Sequence, residues 1–411
     1  MNFIDIFAGA GGLSEGFVRQ GFLPIAHVEM NRDAALTLKT RMVYHELKKS
    51  NQLDIYNNYL LGSITRDELY KTNPQVENFV IQKEISDETI DSIFNTIDKN
   101  LKELKQKSVD ILIGGPPCQA YSLVGRARDP YGKEHDPRNY LYKQYIKFLI
   151  RYEPKMFIFE NVPGILTAGK GQLFNDVKKY MDEAGYDIKA ETLDASDFGV
   201  LQKRFRVILV GWKKGTKYSY PILEKQSHNF LVKDLLIDLP RLHPGQSINC
   251  GDYTGEPTRY LQQFKIRDKE DILIQHITRP HNERDREIYE HVINTWEKEN
   301  RRLKYNELPE RLKTHKNRES FLDRFKVVGS NQPYSHTLVA HIAKDGHYYI
   351  HPDITQLRSI SVREAARIQS FPDNYFFEGS RTAAFTQIGN AVPPLMSEAL
   401  AMKLKEMISS V

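Results

Sequence analysis

A cysteine at the tip of a stiff turn is the residue of this chain best placed for covalent chemistry. Gly114-Gly115-Pro116-Pro117-Cys118-Gln119-Ala120-Tyr121-Ser122 follows Val109-Asp110-Ile111-Leu112-Ile113, an apolar run of strand length. Two glycines and two prolines after a strand force a sharp turn. A free cysteine is more often a small buried hydrophobe than a reagent. Here Pro-Pro aims the thiol off the carboxyl end of a strand, the edge where open α/β sheets bind ligands, so Cys118 is a candidate nucleophile. Met156-Phe157-Ile158-Phe159-Glu160-Asn161-Val162-Pro163-Gly164 repeats the design, with Glu160 at the strand end. If the two strands are parallel neighbours, Glu160 and Cys118 share one edge. The following Pro-Gly argues against a helix starting there, and so against Glu160 as a mere cap. In Gln202-Lys203-Arg204-Phe205-Arg206, arginines two apart on a strand would project to one face, able to orient a carboxylate or hold phosphate.

Elements that could position these groups are legible around them. Phe3-Ile4-Asp5-Ile6-Phe7 reads as a strand, Ala8 to Leu13 as a glycine-rich turn and Ser14 to Arg19 as a helix. That is the opening of a nucleotide-binding α/β unit. A second strand, Pro24 to Glu29, ends in a carboxylate about twenty residues on, the spacing at which an acid reaches ribose hydroxyls. The turn lacks the Gly-Lys-Ser/Thr of a phosphate-chain loop and the dinucleotide spacing, which leaves a nucleoside ligand without a long phosphate chain. Asn31 to Ser50 has helical periodicity. Residues 51–107 read as peripheral, with helices near Thr65–Thr72 and Asp87–Gln106. A Gly, Arg and Pro-rich loop, 121–137, has the makings of a lid. Asn139 to Arg151 reads as a helix.

Past Lys213 the strand–helix alternation stops, and residues 213–357 read as a mixed second domain. Ser361 and Glu364 form a capping box signature ahead of a helix ended by Pro372-Asp373. The expected division is 1–212 with 385–411 as the catalytic and cofactor-binding domain. Residues 213–384 would be a target-recognition domain and hinge, variable over about 230–325. The fold class is α/β, a Rossmann-like sheet, mostly parallel, with a smaller mixed domain. At 411 residues, 40% hydrophobic and 27% charged, the chain has the composition of a soluble two-domain protein. It carries neither a membrane-length apolar run nor a signal peptide. Two distant cysteines suit a reducing cytoplasm and exclude a disulfide framework or a Cys-rich metal site. The net charge of +5 is compatible with a nucleic-acid partner without requiring one.

Taken together the blocks resemble the cytosine-C5 DNA methyltransferases. The matching stretches are Asp5 to Gly12, Gly115 to Gln119, Glu160-Asn161-Val162, Gln202 to Arg206, Arg363-Glu364-Ala365-Ala366-Arg367 and Gly389 to Pro393. They stand in the family's order from one end of the chain to the other. The resemblance implies S-adenosylmethionine as methyl donor, S-adenosylhomocysteine as product, no metal, and duplex DNA as substrate. A monomer on DNA, without membrane association and with a cognate restriction endonuclease, is the expected setting. By position, Phe7, Gly9, Gly11 and Gly12 would line the cofactor, Glu29 would hold its ribose, and Asn390 would close its methionine end. The family's acidic residue after the third strand is represented here by Ser63, in Gly62-Ser63-Ile64. Gln119, Ser122, Arg126, Arg128 and Gln202 would face DNA. Cytosine C5 is a poor nucleophile until a thiolate adds at C6, which gives Cys118 its role. Glu160 would stabilise the charge that develops at N3, with Arg206 orienting it and Arg204 in support. The base must leave the duplex to be reached. Two other readings share these blocks: a tRNA-cytosine methyltransferase, and an inactive DNA-binding relative.

Overall fold

Apolar runs too short for helices build the centre of the molecule. The computed structural model describes residues 1–116, 141–316, 318–319 and 321–410. Seven strands form one sheet: β1 (Asn2–Ile6), β2 (Leu23–Val28), β3 (Val80–Ile81), β4 (Ile111–Gly114), β5 (Met156–Asn161), β6 (Tyr186–Asp194) and β7 (Phe205–Lys213). Their order is β3-β2-β1-β4-β5-β7-β6, with β7 antiparallel to both neighbours and the rest parallel. Residues of β1 and β4 are buried throughout, as expected for parallel strands covered on both faces. Successive side chains part to opposite faces. Leu112 joins Ile93, Ile97, Tyr145 and Phe148 from helices Ile90–Glu103 and Leu141–Tyr152. Ile111 and Ile113 join Phe17, Leu400 and Leu404 on the other side.

That second face closes the chain on itself. Helix Pro394–Ser409 lies against helix Gly12–Arg19 so closely that a Cβ at Gly16 would fall 2.3 Å from Glu398 N. The order of the sheet turns back between β1 and β4. The glycine-rich turn after β1 and the Gly-Gly-Pro-Pro turn after β4 therefore flank the switch point, where open sheets bind ligands.

Three expectations are corrected. Residues 51–107 are not wholly peripheral, because Val80–Ile81 pair with His27 and Val28 as the third strand. Two residues carry no period, and helix Val76–Phe79 runs straight into them. Ser63 is consequently not at a strand end. It is exposed between helices Leu53–Leu60 and Arg66–Lys71, its N–H donating to Asn58 O at 2.8 Å. Nor does Pro163-Gly164 oppose a helical start: a 3₁₀ turn runs Pro163–Leu166 with proline at its first position, where a missing N–H costs nothing.

The second region is irregular around a two-stranded ribbon, β8 (Ser247–Gly251) and β9 (Leu273–Ile277). Helix Glu283–Glu299 and the segment after it bury Ile288, Val292, Leu303, Tyr305 and Phe325 together. Another cluster joins Val232, Leu235 and Tyr260 to Ala365, Ala366, Phe371 and Phe385. The boundary drawn at 384/385 falls inside helix Arg381–Asn390.

Arg363-Glu364-Ala365-Ala366-Arg367 is the hub of this region, and the Ser361–Glu364 capping box is formed. Arg358 spans both Glu364 oxygens at 2.7 Å. Burial pushes the Glu364 carboxyl up, but Arg358 and His351 outweigh it and hold it well below the usual range. Arg363 donates to the carbonyls of Ile274, Pro372 and Tyr375. Arg367 sits between Asp238 and Asp373, at 2.6 Å from each. All these groups are buried, so removing Arg367 leaves Asp238 with Arg267 alone and Asp373 with the Tyr253 hydroxyl and a more distant Arg363. Arg367→Met should lower unfolding free energy by about 3–5 kcal/mol, seen as an early urea midpoint. A wild-type midpoint would show that the network is not what holds the region.

Candidate active site

Glu160 is fixed by the register of two parallel strands. Gly114 pairs with Phe159 across β4 and β5, so Gly115 lies abreast of Glu160. A Cβ at Gly115 would stand 2.5 Å from Glu160 Oε2 and 2.7 Å from its carbonyl oxygen. Glycine there is a seat for the carboxylate. One residue on, Asn161 Nδ2 donates to Pro116 O at 3.3 Å, which ties the two turns together. Cys118, Gln119, Ser122, Arg126 and Arg128, with the loop 121–137, lie outside the described residues.

Arg206 reaches the same carboxylate from β7. Glu160 is paired with Ile208, and Arg206, two residues earlier, is the diagonal neighbour on that face, within reach of a long side chain. Its Nε stands 2.7 Å from Glu160 Oε1, and both side chains are mostly covered, at 10% and 15% exposure. Arg206 Nη1 donates to Phe205 O at 2.9 Å, which fixes the guanidinium. An acid and a cation thus stand beside the turn that carries the cysteine.

Arg204 does not join them. β7 begins at Phe205, so strand alternation does not extend to Arg204. Its guanidinium donates to the carbonyls of Leu338 at 2.5 Å, Gly389 at 2.9 Å and Ala391 at 2.8 Å. It is a brace between the second region and the Gly389-Asn390 turn. Gln202 is a second correction. Fully buried, it donates to Ile368 O and Gln369 Oε1 and accepts from Leu338 N, so it does not face DNA.

The glycine-rich turn lies at the neighbouring strand end. Phe7 takes the left-handed region at φ 56°, a costly conformation for a large side chain. Gly9 follows at φ 55°, and a Cβ there would meet nothing within 4 Å, so the turn is open above it. Gly9 N donates to Glu29 Oε2 at 2.8 Å and Asn31 N to Oε1 at 2.7 Å. Burial raises the Glu29 carboxyl above its ordinary value, the two N–H donors pull it down, and Asp5 adds to the rise. Gly11 and Gly12 are closely packed: Gly11 lies under Tyr375, and a Cβ at Gly12 would be 2.3 Å from Val392 O. The second contact sets the Gly389-to-Pro393 block against the turn. Asn390, exposed, ends helix Arg381–Asn390 there.

Two features escaped sequence reasoning. Gly115 read only as turn material, although a glycine level with a strand-end acid was a usable signal. With β3 at Val80–Ile81, the first carboxylate beyond the third strand is Glu84, which is exposed. That strand was too short to point to it.

A mostly parallel sheet, its switch point flanked by a glycine-rich turn and a Glu–Arg pair, has the Rossmann-like methyltransferase fold. Solved structures share the fold: a DNA modification methyltransferase encoded within an E. coli prophage, at TM-score 0.65 and 23% identity, covers 100% of this chain and 99% of its own. S. pombe Dnmt2 aligns at TM-score 0.54 and 12% identity over 99% of each chain. The family model for C-5 cytosine-specific DNA methylases matches residues 1–64 and 65–406. Type II methyltransferase M.Bpa9945I of Bacillus paralicheniformis is 44% identical over 447 aligned positions, 99% of either chain. Type II methyltransferase M.DdeI of Desulfomicrobium norvegicum is 29% identical over 98% of this chain and 88% of its own. The chain belongs to the C-5 cytosine-specific DNA methylases and is a DNA (cytosine-5-)-methyltransferase.

Proposed function

We propose that this enzyme methylates C5 of a flipped-out cytosine in one short duplex sequence, as the modification half of a restriction–modification system. The observation that carries the reading is the Glu160–Arg206 pair seated against Gly115, three residues before Cys118. S-adenosylmethionine would supply an electrophilic methyl group on its sulfonium. Glu29 fits its ribose, the open turn at Phe7 and Gly9 fits its body, and Asn390 its methionine end. Glu84 replaces Ser63 as the candidate for the adenine amino group.

Cys118 forms the S–C6 bond as a thiolate, which makes the ring an enamine nucleophilic at C5. Only a few per cent of a free thiol near pKa ~8.5 is ionised at neutral pH, so the site must favour the thiolate. Glu160 donates to N3 as negative charge builds there, and Arg206 holds Glu160 in place and reaches O2. After C5 gains its methyl, a water near Gln119 takes the C5 proton, the C6–S bond breaks to return the thiolate, and N3 gives its proton back to Glu160. Arg204 acts only by bracing the turn. Ser122, Arg126 and Arg128 are proposed to contact DNA as the 121–137 loop closes. Residues 213–384, read as the recognition domain, supply the base contacts, since sequence is read from base edges.

The test offers labelled S-adenosylmethionine with genomic DNA or total tRNA, followed by bisulfite sequencing. Methyl groups at one recurrent DNA sequence support the reading. Label in tRNA alone, or spread over unrelated cytosines, overturns it. Glu29→Ala should weaken S-adenosylhomocysteine binding roughly 10- to 100-fold, the worth of a charged hydrogen-bond pair. Calorimetry on wild type should also show affinity falling as acid protonates Glu29, beginning at higher pH than an ordinary carboxylate allows. Unchanged affinity in the variant would remove Glu29 from the cofactor site.

A further inference from the structure

Two arginines with no acidic partner among the described residues meet at the start of helix Arg381–Asn390. Arg381 is the first residue of that helix, capped by Ser380. Its Nη1 donates to Thr278 O at 3.0 Å, while its Nε is buried with no hydrogen-bond partner among the described residues. Arg279, next to Thr278, donates to the carbonyls of Ile342, Ala343 and Lys344 at 2.9, 2.9 and 3.1 Å. Burial and the charge of Arg279 both weaken Arg381's hold on its proton, and no carboxylate of the described residues acts on it in the other direction. The nearby acid Asp345 is engaged by Arg324 and His341 at 3.3 Å. Like charges held together, one of them partly desolvated, cost free energy that a bound anion would offset.

The place of this pair suggests the anion. Turn Ala340–Ala343 lies along the helix: a Cβ at Gly389 would be 2.3 Å from Ala340 N, and Arg279 ties down the turn's far end. Arg204 pins Leu338 to Gly389 and Ala391 at the near end. One continuous strip therefore runs from the Arg204 brace to the arginines, about 15 Å for a ten-residue helix. Arg279 is anchored on three carbonyls, so it cannot extend to a base edge, and backbone oxygens are the target within reach. The free N–H groups of the helix's first turn favour the same sign of ligand.

We propose that Arg381, supported by Arg279, binds a backbone phosphate of the duplex on this strip, a contact that positions DNA without reading its sequence. The inference rests on duplex DNA as substrate. Its test is binding of wild type, Arg381→Ala and Arg381→Lys to a labelled mixed-sequence duplex across a salt series. Loss of one phosphate contact should make the slope of log K against log salt shallower by about 0.9 in the alanine variant. The lysine variant, which keeps the charge, should retain most of the slope. Duplexes with and without the methylated sequence should weaken by the same factor, and S-adenosylhomocysteine affinity should not change. Should the alanine variant melt early, Arg381→Gln keeps a donor for Thr278 O and loses only the charge. A wild-type slope in a folded neutral variant overturns the phosphate site, as does equal loss in the lysine and neutral variants. Absence of any duplex binding by wild type would instead overturn the substrate reading itself.

Discussion

Replacing Cys118 by alanine should abolish methyl transfer, by at least roughly 10³-fold, while leaving cofactor affinity nearly unchanged. Cytosine C5 is part of an aromatic ring and does not attack a sulfonium methyl unaided. The S–C6 bond is what converts it into an enamine, so no neighbouring group can take over when sulfur is lost. The cofactor contacts assigned to Phe7, Gly9 and Glu29 lie just past the ends of β1 and β2, on other segments of the chain than Cys118. Cys250→Ala is the control: its Sγ donates to Leu60 O at 2.6 Å from β8, a strand outside the seven-stranded sheet. Tritium incorporation into DNA and calorimetry with S-adenosylhomocysteine, on the same preparations, separate chemistry from binding. Turnover by Cys118→Ala within tenfold of wild type would sink the covalent route. Lost cofactor affinity would mean that the turn itself had been disturbed.

Much of the site's frame was legible because it depends on local rules. Apolar runs ending in Gly and Pro located β1, β4 and β5, and their parallel pairing followed from the helices between them. Glu29 announced itself by spacing, and Ser361 with Glu364 by a cap signature. What failed to show depends on distance in sequence. Gln202 read as a DNA contact and Arg204 as a support for Arg206, yet their partners lie at Leu338, Ile368 and Gly389, more than a hundred positions away. Arg363 and Arg367 likewise became buried only when Asp238, Ile274 and Asp373 closed around them. A two-residue β3 has no pattern at all, and losing it put Ser63, which lies between two helices, at the end of the third strand.

Glu160→Gln should cost about 10²- to 10⁴-fold in single-turnover rate, the range of a lost general acid, with duplex binding retained. The amide keeps the volume of the carboxylate, so it still fits against Gly115. Of its two ends, only the oxygen suits Arg206, whose Nε now stands 2.7 Å from Glu160 Oε1; the NH₂ therefore turns toward the space over the Gly-Gly turn. There it can still donate a hydrogen bond to N3, but it cannot deliver a proton. The cost should consequently fall on the step that builds charge, and be smaller than that of removing the sulfur. Arg206→Met is the companion. It leaves Glu160 in place without the cation that orients it, so it should also slow chemistry, and the double variant should lose less than the two losses combined, because the groups act as a unit. Additive losses would mean that Glu160 and Arg206 serve separate steps. If Glu160→Gln instead stops binding DNA but reacts at wild-type rate at saturating duplex, the carboxylate is structural, and the acid that assists N3 must be sought elsewhere on the same sheet edge.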